Sequence, residues 1–176
     1  NFFSVDIKEG KTYFSPPTTQ LTLRNKDEKN VIKSFDIKTL GTPTGPLKKS
    51  PSGGFHLMTN QESSITINGT YALLHLSEKG EILWQHALQQ KGKTLKAIDV
   101  EIDINGNAYI LVEIKSPNQE SWSRGLHKIF VINNNGEFID SFSTDVSGHR
   151  IYDLVATNNK LYFSVADPNG SYILEM

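Results

Sequence analysis

Three carboxylates recur at every second position along one short segment: Asp99, Glu101 and Asp103, separated by Val100 and Ile102. In an extended strand, alternate residues share a face. Carboxylates gathered that way supply the oxygen ligands a hard cation such as Ca²⁺ takes. Asp153, in Ile151-Tyr152-Asp153-Leu154-Val155, stands at nearly the place of Asp99 in a second segment of the same pattern. Asp99, Glu101 and Asp153 are therefore the candidate metal ligands, with Ca²⁺ the cation they suit and no other cofactor expected. The plainer account of the same residues is a solvated face. The run Asp103-Ile104-Asn105-Gly106-Asn107 begins like a calcium loop but lacks the closing Glu, so it is read as a turn.

Other chemistry is sparse. Of the five histidines, His56, His75, His86, His127 and His149, no two stand at H-x-x-x-H spacing. His75 and His86 fall inside strand patterns, where packing is the expected role. His127 and His149 fall near strand entrances, where binding residues collect, and are carried as binding candidates. The polar stretch 115–127 adds Trp122, Arg124 and Asn118, since aromatics and Arg dominate contact hot spots. Cysteine is absent, which removes disulfides, a thiol nucleophile and thiolate metal sites. There is no G-x-S-x-G element, P-loop or dinucleotide fingerprint. The triplets Asn68-Gly69-Thr70 and Asn169-Gly170-Ser171 match the N-glycosylation pattern but read first as turns. No catalytic residue is assigned.

The elements that would position these residues are hairpins. Leu73-Leu74-His75-Leu76, the turn Ser77-Glu78-Lys79-Gly80, and Glu81-Ile82-Leu83-Trp84 form the clearest one. The pattern returns at Ile129 to Ile139 and, more loosely, at Leu21 to Ile32. A second hairpin type alternates with the first. It pairs Ile98 to Ile102 with Ala108 to Val112, and Ile151 to Val155 with Leu161 to Val165. Earlier copies centre on Ser50 to Gly54 and on Lys8 to Gly10, the latter followed by a strand at Thr12-Tyr13-Phe14. The turn positions Gly10, Gly53, Gly106 and Asn159 step by 43, 53 and 53 residues. Helical spacing of apolar residues is missing, and Pro16, Pro17, Pro43, Pro46 and Pro51 punctuate the first third.

With 176 residues the chain is long enough for one core-bearing domain. A net charge of −1 excludes the basic footprint of a nucleic-acid binder. No run of 18 apolar residues is present, so no membrane span is expected. Asn1 is not an initiator methionine, and the chain is read as processed or as part of a larger protein.

Repeats of four short strands, roughly 45 to 55 residues each, are propeller-sized. Leu76 to Trp84 resembles the outer hairpin of a quinoprotein-type (PQQ-like) blade, where a tryptophan after a glycine turn docks onto the neighbouring blade. Asp103 to Ile110 resembles the inner hairpin of NHL-like bacterial propellers. Trp84 is the one docking tryptophan; Lys33 and Asp140 hold the equivalent places, which departs from the quinoprotein pattern. The resemblance implies an all-β, antiparallel β-propeller or propeller segment of about 3.5–4 blades, here about residues 1–40, 44–89, 96–144 and a partial 149–176. It implies that Asp99, Glu101 and Asp153 line a central channel. The expected function is a non-enzymatic binding or scaffold module of a bacterial cell-envelope or surface protein, outside the cytoplasm. Its loops would contact protein or glycan. Three and a half blades leave a side open, so the remainder of a larger propeller chain is itself an expected partner. Alternatives are a lactonase- or quinoprotein-like enzyme with a channel metal, and a four-bladed lectin-like or hemopexin-like domain.

Overall fold

Fifteen strands and no helix make up the described residues of the computed structural model, which are 3–10, 18–25, 31–36, 41–44, 47–60, 71–118, 125–144, 150–157 and 160–176. The strands form four sheets in chain order. The first is β1 (Phe3–Gly10), β2 (Thr18–Asn25) and β3 (Val31–Asp36). The second has β4 (Thr42–Pro43) and β5 (Lys48–Lys49) one after the other along the same edge of β6 (Phe55–Asn60), then β7 (Tyr71–Leu76) and β8 (Ile82–Leu88). The third is β9 (Thr94–Ile102), β10 (Ala108–Lys115), β11 (Leu126–Ile132) and β12 (Phe138–Ser143). The fourth is β13 (Arg150–Ala156), β14 (Leu161–Asp167) and β15 (Gly170–Glu175). Each sheet is an antiparallel meander, so the all-β expectation holds.

Local chemistry explains the hairpins. Four five-residue turns, Ser50–Gly54, Ser77–Glu81, Asp103–Asn107 and Asn133–Glu137, share one hydrogen-bond pattern. The first N–H donates to the fifth carbonyl at 2.8–3.0 Å, and the fourth N–H returns to the first carbonyl at 2.9–3.1 Å. The fourth residue is glycine each time, with φ of 97°, 76°, 83° and 83°. Only glycine enters that region without cost. In three of the turns the first side chain reinforces the loop. Ser77 Oγ, Asp103 Oδ1 and Asn133 Oδ1 each accept N–H bonds from the residues two and four ahead. Such side-chain-to-backbone bonds are why Ser, Asp and Asn open turns.

The first hairpin differs from its expectation. β1 runs through Gly10, which pairs with Thr18, so Gly10 ends a strand rather than forming a turn. The strand expected at 12–14 lies outside the described residues.

Bulges break the strict alternation read from sequence. Between β9 and β10, Asp99 faces Leu111 while Ala97 faces Val112, which leaves Ile98 unmatched. Ile98, Val100 and Ile102 were expected on one face. Instead Val100 and Ile102 belong to the core between the second and third sheets, and Ile98 to the core between the third and fourth. One extra residue shifts the side-chain period by one and moves the rest of the strand to the other face. Tyr152 is bulged likewise in β13, which puts Ile151 and Leu154 in one core although they are three residues apart.

The third sheet is buried on both faces. Ile110, Val112 and Phe130 pack toward Met58, Leu73 and Leu88. Leu111, Ile129 and Val131 pack toward Ile151, Leu154, Phe163 and Val165. A strand covered on both sides has no need of polar alternation, which accounts for the unbroken apolar runs in β10 and β11. The second, third and fourth sheets therefore stack face to face, and β5 and β13, on the leading edges of their sheets, each lie beside β9, the leading strand of the third.

Candidate functional site

Along those leading strands, polar groups join one sheet to the next. Glu101 on β9 is ion-paired with Lys48 on β5, across 53 residues of sequence. On the other side, Asp99 Oδ2 accepts the Leu154 N–H of β13 at 3.0 Å. Asp99 Oδ1 also takes its own neighbour's N–H, Val100, at 2.8 Å. Asp153 repeats that local bond with Leu154 N–H at 3.2 Å. Both aspartates follow a bulged residue, which makes them true equivalents in successive sheets.

The two carboxyl groups also meet. Burial pushes the Asp99 carboxyl up to about 6, and a hydrogen bond with Asp153 adds to the rise. The Leu154 and Val100 amides and the Lys48 charge pull the other way. A carboxyl–carboxylate hydrogen bond needs one proton between two acids, and that proton is held more firmly than on a free aspartate.

The expected metal trio is thus only partly drawn together. Asp99 and Asp153 touch, while Glu101 faces the Lys48 ammonium. Among the described residues, no group of three or more His, Asp or Glu side chains is placed to hold a metal ion. Asp103 stands apart as a turn anchor. Its Oδ2 accepts from Asn107 Nδ2 at 2.9 Å and Tyr109 OH at 3.2 Å, while its Oδ1 is taken by the turn amides.

The loop candidates scatter. Asn118 is exposed in the turn after β10. Trp122, Arg124 and His149 lie outside the described residues. His127 is no loop residue: it is the second position of β11, 6% exposed, on the face of Ile129 and Val131. It pairs with Glu113 at the entrance of β11, as the sequence pattern leads one to expect.

A histidine cluster was not anticipated. His56 and His75 are cross-strand neighbours on β6 and β7. Their rings stack at 4.4 Å and 9°, and Trp84, opposite His75 on β8, lies 5.4 Å from both. His75 Nε2 donates to the Gly53 carbonyl at 3.0 Å. His56 is 0% exposed, and among the described residues neither of its ring nitrogens has a hydrogen-bond partner. Burial, reinforced by the neighbouring His75, holds it down at about 3, so it is neutral at pH 7. Trp84 then closes the junction with the third sheet. Its Nε1–H donates to Asn134 carbonyl at 2.9 Å, and its ring lies over Gly136, where a Cβ would come within 2.7 Å. His86 Nδ1–H donates to the Gly136 carbonyl at 2.9 Å. The β11–β12 turn of one sheet is thus seated on the last strand of the sheet before it.

The chain matches no known family. No curated protein matches it either. The site therefore stands on its own geometry. Among the described residues, no helix is long and apolar enough to cross a membrane. The histidine stack was legible only with the strand register in hand. Lys48 as partner to Glu101 carried no sequence signal at all.

Proposed function

We propose that the chain is a segment of a β-propeller that works as a non-enzymatic binding or scaffold module. The observation that carries this reading is the face-to-face stacking of the second, third and fourth sheets with their leading strands side by side. Leading strands are joined by Glu101–Lys48 and Asp99–Leu154, and a hairpin turn of one sheet sits on Trp84 of the sheet before. Rigid repeats with variable connections make large contact surfaces for protein or glycan. The polar 115–127 stretch, with Trp122, Arg124 and Asn118, is assigned to that contact. The resemblance to bacterial propellers is the support for a cell-envelope or surface location.

One observation favours a second reading. Asp99 is a perturbed carboxyl in contact with another acid, a feature that concentrates at functional sites. A lactonase-like enzyme would use it together with Asp153 and Glu101 around Ca²⁺. Glu101 would first have to leave Lys48, which weighs against it.

Arrays of glycans and of peptides, probed with the purified chain, test the first reading. Binding to one class, lost in a Trp122→Ala, Arg124→Ala double variant, is the expected result. Lactone hydrolysis that needs Ca²⁺ and vanishes in Asp99→Asn, with no array binding, would overturn it in favour of the enzyme.

A further inference from the structure

Between the second and third sheets the packing is tight where Met58, Leu73, Val100 and Ile110 fill the space. Toward the last strands the sheets part. A groove of about 360 Å³ opens there, lined among others by His86, Leu88, Gln90, Lys128, Phe130 and Phe138. That volume falls at the lower end of ligand-pocket sizes, roughly 300–1,000 Å³.

Three features of the groove point to one kind of ligand. First, one wall is β8, the terminal strand of its sheet. Among the described residues no strand pairs beyond it, so alternate N–H and C=O groups along it face outward. Second, Phe138 is 52% exposed, its ring set edge-on to Phe130 at 6.0 Å and 78°. It gives the opposite wall an apolar seat. Third, Lys128 is the one charged side chain among the described lining residues, and no carboxylate accompanies it. Also lining the groove, Gln90 Oε1 is buried without a hydrogen-bond partner among the described residues, an acceptor awaiting a donor.

We propose that this groove binds an extended peptide bearing a carboxylate side chain, added as a strand along the free edge of β8. The proposal rests on the binding-module reading and names its partner. A strand edge repeats its donors and acceptors at the rise of a peptide, which a glycan cannot match. Alternate side chains of the peptide then enter the groove. One carboxylate meets the Lys128 ammonium, and an apolar side chain two residues away packs on Phe138. A peptide N–H is the donor for Gln90 Oε1.

The probe is a random heptapeptide library displayed on phage, panned on the whole chain. Enrichment of Asp or Glu in an extended, proline-free consensus is the expected outcome. A soluble consensus peptide is then expected to lose about tenfold in affinity toward Lys128→Glu. N-methylation at alternate backbone positions of the peptide removes its strand-pairing donors and is expected to abolish binding. A second variant, Ser141→Trp, fills the groove from β12, and circular dichroism checks that both variants fold. Peptides that bind both variants undiminished overturn the groove, while leaving loop contact intact as a reading. A glycan that competes at Lys128 overturns the peptide assignment. Silence on both peptide and glycan probes overturns the groove and the binding-module reading together.

Discussion

Lowering the pH is expected to loosen the junction of the second and third sheets through His56. In the folded chain this imidazole is fully buried, stacked on His75, and held down at about 3. In the unfolded chain it titrates at about 6.5. The unfolded state therefore binds the proton first. Stability is complete above the unfolded value and is lost as pH falls from about 6.5 toward about 3. Between pH 7 and pH 5 the loss attributable to His56 is about 2 kcal/mol, from the difference in proton uptake of the two states. Asp99 works in the opposite sense. Its folded value of about 6 lies above the unfolded one, so it adds stability as pH falls from about 6 toward about 4. In the whole chain these two opposing contributions overlap, and a variant is needed to separate them. His56→Leu removes both orphan nitrogens while keeping the stack filled. Urea denaturation followed by tryptophan fluorescence, at pH 7, 6 and 5, gives the stability of each protein. Trp84 sits 5.4 Å from His56 and reports the junction directly. The stability gap between His56→Leu and the parent chain is expected to widen in the variant's favour by about 2 kcal/mol from pH 7 to pH 5. Parallel pH curves for the two proteins would refute the reasoning, because they would mean His56 takes its proton equally well folded and unfolded.

Asp99→Asn keeps only one of the two acceptor oxygens that serve Val100 and Leu154, and it cannot share a titrating proton with Asp153. Its stability curve is expected to lose the gain between pH 6 and pH 4 that the parent retains, in the same urea assay. Gly136→Ala introduces a Cβ 2.7 Å from the Trp84 ring at a φ of 83°, whereas Gly92→Ala meets nothing within 4 Å at a φ of 68°. The first is expected to cost about 3 kcal/mol or more and the second about 1 kcal/mol, by thermal denaturation. Leu111→Ala, fully buried between the third and fourth sheets, is expected to cost about 2–5 kcal/mol. Ile173→Ser, at a site 74% exposed, is expected to stay within about 0.5 kcal/mol of the parent.

Much of this fold is written locally. A Ser, Asp or Asn opening a turn, with glycine three residues on, closes five residues through bonds that span no more than four positions. Chemistry that short-ranged needs no tertiary partner, so the hairpins, their repetition and the all-β class were legible in the residues alone. So was the equivalence of Trp84, Asp140 and Lys33, which the register confirms. They face His75, Val131 and Leu23, each just past a bulge in its hairpin. The bulges themselves were not legible, and they decided the faces. One unmatched residue at Ile98 turned a clean alternation into two half-faces serving different cores.

The candidate site belongs almost wholly to the tertiary structure. Asp99 and Asp153 were picked out as equivalent from their matching segments. Whether equivalent residues touch depends on how closely two sheets stack, which no segment encodes by itself. Glu101 met a lysine 53 residues away in sequence instead of joining them. His56 looked like any strand histidine. Burial without a partner made it acid-sensitive, and burial is set by the sheet packed over it. The residues fix what each hairpin is. The stacking of one sheet on the next fixes which of its polar groups lose water, and therefore which can carry a shifted proton or line a groove.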